Sequence, residues 1–158
     1  MRYLPGTISL NEGRDYPVLS LVLHSRFIEH QQLFDLLRLE HCESSRQAFD
    51  HRVKRLASHD LLRTQTINFV GRVYSITPSG LAPLIRKGEC YSLGPREKQS
   101  ATPGTAALMH ALGVNDIRVR LQRTGMLLRW LPESMIRSRN EFTSIGYAKD
   151  YEIGRAHV

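Results

Sequence analysis

Cysteine is scarce in this chain: Cys42 and Cys90 are the only two among 158 residues, and they form no close-spaced pair. That spacing excludes a disulfide scaffold and points to a reducing compartment. His41-Cys42 has no second ligand pair at zinc-like spacing, so no metal is expected. Long apolar runs are missing too. None approaches the roughly 20 residues of a membrane span, and the N-terminus lacks the apolar core of a secretion signal. Acidic residues are outnumbered, with 15 Asp and Glu against 22 Lys and Arg. A net charge of +7 and a pI near 9.8 favour a polyanionic partner without naming it. The expectation is a cytoplasmic protein with no membrane contact, no metal and no cofactor.

What the chain does have is concentrated between Ser44 and Gly80. Phe49, Val53 and Leu56 recur at helical spacing, with Ser44 or Ser45 as the N-cap. β-branched and aromatic residues follow. Arg63 to Ile67 and Arg72 to Ile76 read as two strands joined by a turn at Asn68 to Gly71. Thr77 then caps a further helix, with Pro78 suited to its first turn. Upstream, Asp15 is a candidate cap for a helix with Val18, Leu19, Val22 and Leu23 on its apolar side. Phe27-Ile28 reads as a short extended link. A second helix from about Glu29 carries Leu33, Phe34, Leu36 and Leu37. This order is that of a winged helix-turn-helix over residues 15–87, preceded by an arm at 1–14. The spacing Tyr74-x-Ile76-Thr77-x-x-Gly80 resembles the wing-to-helix junction of bacterial winged-helix DNA-binding proteins.

With Phe49, Val53 and Leu56 turned inward, the opposite helix face carries Ser44, Gln47, His51, Lys54 and Ser58, flanked by Arg55. Hydrogen-bonding and cationic groups in that array suit base edges and phosphates of a major groove. The stretch from Ser44 to Gly80 holds six Lys or Arg against two acids, a balance of +4. The expected DNA-binding residues are Ser44, Ser45, Arg46, Gln47, His51, Lys54 and Arg55, with Arg72 reaching from the wing. Phe69-Val70 at the wing tip are apolar where water is expected. A DNA minor groove, a partner subunit or nothing at all could meet them.

Residues 88–104 read as a Gly/Pro/Ser-rich linker. From Thr105 a helical stretch carries two apolar stripes: Leu108, Leu112 and Val119 on one side, His110, Val114, Ile117 and Leu121 on the other. A helix apolar on both sides wants to be sandwiched. Gly113, Asn115 and Asp116 are poor helix formers, so something beyond propensity must hold them. His110 lacks any nucleophile or carboxylate partner and reads as a core histidine. Gly125 to Trp130 reads as a largely buried strand, with a second strand near Tyr147 to Glu152. No catalytic residue is assigned.

The run His110-Ala-Leu112-Gly-Val114-Asn115-Asp116-Ile117-Arg118, then Arg129-Trp130 and Glu133, resembles the replication-relaxation (MobC-like plasmid mobilisation accessory) family. Lys149-Asp150 stands where that family's pattern has a Pro-Asp pair. The resemblance implies an α+β chain: a winged helix, then an incomplete α/β segment at 105–152 resembling the start of a PD-(D/E)xK-like nuclease fold. It also implies double-stranded DNA as partner, with a relaxase or replication protein beside it, and leaves a homodimer open. Ile153 to Val158 is what a common sequencing-library adapter encodes, so native residues are expected to stop near Glu152. The expected activity is binding to plasmid or origin DNA and not catalysis. A winged-helix transcriptional regulator and a truncated nuclease-like enzyme are the alternatives.

Overall fold

The computed structural model describes residues 8–41, 43, 45–89, 104–133 and 135–136. Ser44, both cysteines, most of the expected linker, the expected strand near Tyr147 and the adapter-like tail lie outside those residues. The described part is α+β. In chain order it runs α1 (Asp15–Ser25), β1 (Ile28–Glu29), α2 (His30–His41), α3 (Arg46–Ser58), β2 (Leu62–Ile67), β3 (Gly71–Ile76), α4 (Pro78–Arg86) and α5 (Thr105–Arg123). The three strands form one antiparallel sheet in the order β1-β3-β2.

The helical stripes read from sequence are the core. Val18, Leu19 and Val22 of α1, Leu33 and Leu36 of α2, and Phe49, Val53 and Leu56 of α3 interlock with Tyr74 and Leu84. At about 1.5–3 kcal/mol for each large side chain removed from water, this cluster is the main source of stability. Asp15 does not cap α1. It lies within the first turn, where its Oδ2 accepts the Asn11 N–H at 2.7 Å and fixes the chain entering the helix.

Of the extended link expected at Phe27-Ile28, Ile28 proves to be part of the sheet, together with Glu29 and not Phe27. Ile28 and Glu29 pair with Tyr74 and Val73. β3 is therefore the central strand, and its alternation sends successive side chains to opposite faces. Tyr74 and Ile28 enter the main core, whereas Val73 and Phe27 join Leu108, Ala111 and Leu112 of α5 in a second cluster. Ile67 and Val70, at the hairpin end, pack against that same cluster.

α5 is continuous through Gly113, Asn115 and Asp116 because tertiary hydrogen bonds hold it. Asn115 Nδ2 donates to the Phe27 carbonyl at 2.8 Å, and Gln32 Nε2 donates to the Leu112 carbonyl at 2.9 Å and to Asp116 Oδ1 at 2.7 Å. Arg118 clasps both carboxylate oxygens of Glu40 at 2.8 and 2.9 Å. One stripe of α5 is buried and the other is covered in part, with Val114 and Leu121 half-buried. Ile117 of the other is 57% exposed, and His110 is exposed rather than in the core. Gly125 to Trp130 forms no strand; Met126 and Leu128 stand in water, and the described residues beyond α5 contain no sheet. An apolar hexapeptide needs a neighbouring strand to satisfy its backbone, and none lies beside it among the described residues.

Thr77 caps α4 as expected: its Oγ1 accepts the Gly80 N–H at 3.0 Å and donates to the Asp60 carbonyl at 2.5 Å. That cap presses the helix against the end of α3. A Cβ on Gly80 would stand 2.0 Å from the Leu61 carbonyl oxygen, which is backbone and cannot move aside. Gly80→Ala is therefore expected to destabilise the fold by about 3 kcal/mol, read as a lowered denaturation midpoint.

Candidate nucleic-acid interface

α3 presents its outward residues as the sequence pattern demands. Ser45 is the N-cap, accepting the Ala48 N–H at 3.2 Å, and Phe49, Val53 and Leu56 are buried beneath. Gln47, His51 and Lys54 are exposed on the opposite side. Among the described residues Lys54 has no acidic partner, so its charge faces solvent.

The two arginines expected beside them are engaged within the fold. Arg46 donates to Gln31 Oε1 at 2.6 Å, lies 3.3 Å from Asp50, and covers the Phe34 ring at 4.8 Å. It remains exposed, which leaves a face of its guanidinium to solvent. Arg55 is held more firmly, 2.5 Å from Asp15 Oδ2 and 3.4 Å from the Ser9 carbonyl. Arg52, which the pattern left unassigned, pairs with Glu43 and approaches Asp15 at 3.6 Å. Two cations thus converge on a carboxylate that is only 1% exposed. Nothing in the local sequence distinguishes Arg52 and Arg55 from Lys54; only the position of Asp15 does. Ser58 is occupied as well, donating to the Arg55 carbonyl at 2.8 Å where α3 ends. Between this end of the helix and Ile8-Ser9 lies a cleft of about 480 Å³, lined also by His51, Lys54 and His59.

The hairpin follows α3 directly, and its first strand packs against that helix. Arg72 and Arg46 both act electrostatically on His30 and on Tyr74, so both guanidiniums lie near that pair. Arg72 is exposed and, among the described residues, has no acidic partner. At the hairpin tip the Val70 N–H donates to the Ile67 carbonyl at 3.1 Å, closing a four-residue turn. Its third residue is Phe69, with φ +67° and its side chain wholly in water. That position favours Gly or Asn. A bulky residue there costs on the order of 1–3 kcal/mol of backbone strain.

Behind the interface, His30 joins three elements. Its Nδ1 lies 2.7 Å from the Tyr74 hydroxyl and its Nε2 lies 2.8 Å from Asp50 Oδ1. Burial lowers the His30 pKa from the ordinary 6.5; the Asp50 hydrogen bond opposes this and Arg72 adds to it. A neutral ring fits both contacts, with Nε2–H donating to Asp50 and Nδ1 accepting the Tyr74 O–H. No three His, Cys, Asp or Glu side chains among the described residues converge on a possible metal position.

Because the folded pKa of His30 lies below its unfolded value, the unfolded chain takes up the proton first. The stabilisation is complete above about pH 6.5 and declines as pH falls through the folded value. Denaturant titrations between about pH 7 and pH 5 should show falling stability, with a shallower fall in His30→Gln. His24, whose pKa burial also lowers, keeps the remaining slope from vanishing. Asp15→Ala should cost about 3 kcal/mol, because it leaves Arg55 without its carboxylate, Arg52 with Glu43 alone and the Asn11 N–H without its acceptor; a lowered denaturation midpoint reads it.

No curated protein and no solved structure matches the chain. The replication-relaxation family pattern matches residues 19–142, from α1 through α5 and beyond the described residues that follow it. On a match over well above half its length, the chain belongs to the replication-relaxation family, a membership that points to a role in plasmid replication or mobilisation.

Proposed function

We propose that this protein is a MobC-like accessory factor that binds duplex DNA through a winged helix made by residues 15–87. In this reading α3 enters the major groove, with Gln47 and His51 addressing base edges and Lys54 a phosphate. The β2–β3 hairpin is the wing, with Arg72 on the flanking backbone. The protein acts by binding, and a relaxase or replication protein performs the chemistry at the bound site. The carrying observation is the exposed row Gln47, His51 and Lys54 on the helix directly before a hairpin that carries the exposed Arg72. Arg46 serves as a secondary phosphate contact through its free face. Arg55 holds the helix against α1 and reaches the DNA less.

A ligand-responsive regulator is the second reading, and one feature favours it. A cavity of about 360 Å³ lies between α1, α2, α5 and the end of α4, lined by His24, Glu40, Lys87, Glu89 and Trp130. Beside it, Glu89 Oε2 is buried with no hydrogen-bond partner among the described residues. A small cationic ligand there would satisfy that oxygen.

Fluorescence anisotropy of the full chain with a labelled duplex, repeated over a salt series, tests the first reading. Affinity should fall steeply with salt, because each neutralised phosphate releases counterions and adds about 0.9 to the slope of log K against log salt. Lys54→Ala and Arg72→Ala should each weaken all sequences and reduce that slope by about 0.9. Gln47→Ala and His51→Ala should instead relax sequence preference, by about 1–3 kcal/mol of discrimination per lost base contact. Binding that is absent at low salt, or indifferent to it, would remove this reading.

A further inference from the structure

Phe69 has no role in the contacts proposed above, yet its setting is specific. The hydrophobic effect should draw an aromatic ring inward or select a polar residue at a hairpin tip. Here the ring is wholly exposed, on a backbone with φ +67° that disfavours any residue with a large side chain. Gly71, two residues on, already supplies the loop with a glycine at φ +106°. The turn would relax with Gly or Asn at 69, but it carries Phe.

The tip is also braced. Ile67 and Val70, on either side of the turn, pack against Phe27, Val73, Leu108, Ala111 and Leu112. The loop is therefore anchored by two side chains in that cluster while the third projects. Its other neighbours, Asn68 and Gly71, are small and exposed, and Arg72 follows, exposed and without an acidic partner among the described residues. A narrow, rigid tip with one apolar ring and an adjacent cation matches what a minor-groove wedge requires. The groove is only about 6 Å wide, and an apolar side chain inserted at a base step replaces part of the stacking it disrupts.

We propose that Phe69 is a wedge: with α3 in the major groove, its ring enters the minor groove of duplex DNA, partly unstacks one base step and kinks the helix. Arg72 holds the adjacent phosphate and steadies the bend. Flexible pyrimidine–purine steps are the preferred substrate, since they unstack at least cost. This inference rests on the duplex-binding reading above. It adds a consequence for function: a bound origin or transfer site is bent and locally loosened, the state in which a nicking or strand-opening partner can reach a single strand.

The test uses the full chain and a duplex that it selects from a randomised pool. 2-Aminopurine is placed in turn at each pyrimidine–purine step, and donor and acceptor dyes at the duplex ends report bending. The wild-type chain should raise 2-aminopurine fluorescence severalfold at one step and shorten the end-to-end distance, with a bend of about 20–90°. Phe69→Leu should keep both signals. Phe69→Gly should lose both while retaining salt-sensitive binding, and its thermal midpoint should equal or exceed that of the wild type because the strained φ is relieved. A midpoint that holds while the bend disappears separates a wedge from a structural residue. Wild-type binding without unstacking or bending, or a Phe69→Gly chain that bends the duplex as well as wild type, overturns the wedge and leaves duplex binding intact. A wild-type chain that selects no duplex overturns both.

Discussion

The double burial of β3 is the constraint on which the rest depends. A strand has two faces, and a three-stranded sheet this small can shelter one of them with α1, α2 and α3 alone. Tyr74 fills that side, next to His30 and Phe49. Val73, one residue earlier, necessarily points the other way, and without α5 it would lie in water with Phe27. α5 is therefore the second wall of the sheet, and the polar ties through Gln32, Asn115, Arg118 and Glu40 set its position along α2. Ile67 and Val70 pack against the cluster that α5 closes, which ties the far end of the hairpin to the same second core.

Charge is divided between structure and surface in a comparable way. Arg52 and Arg55 are consumed by Asp15 and Glu43, where low solvent exposure makes an unpaired charge costly. Arg118 is likewise tied to Glu40. What remains facing solvent along α3 and the hairpin is Lys54, Arg72 and the open face of Arg46. A formal excess of cations thus overstates the charge that α3 and the hairpin can offer a polyanion. His30 links the two provinces: it touches Tyr74 in the core and Asp50, the partner of Arg46, at the rim.

Local pattern determined a good deal of this protein. The three helical stripes, the Ser45 and Thr77 caps, the two hairpin strands and the exposed row on α3 all follow from spacing of a few residues, the range over which backbone periodicity acts. The run from His110 to Arg118 carried the family resemblance, again because its residues are contiguous. The tertiary structure decided what depends on residues far apart in the chain. Ile28-Glu29 became a strand only because β3 offered it a partner, and Gly125 to Trp130 did not because none was offered among the described residues. His110 and Asn115 lie on one helix with similar polarity, yet Asn115 is buried against the Phe27 carbonyl and His110 is in water. Arg55 and Lys54 are adjacent cations, and only the approach of Asp15, forty residues earlier, commits one to the fold and leaves the other free. Sequence pattern fixes which face a side chain occupies; what that face meets is set by packing between distant segments, which leaves no local signal.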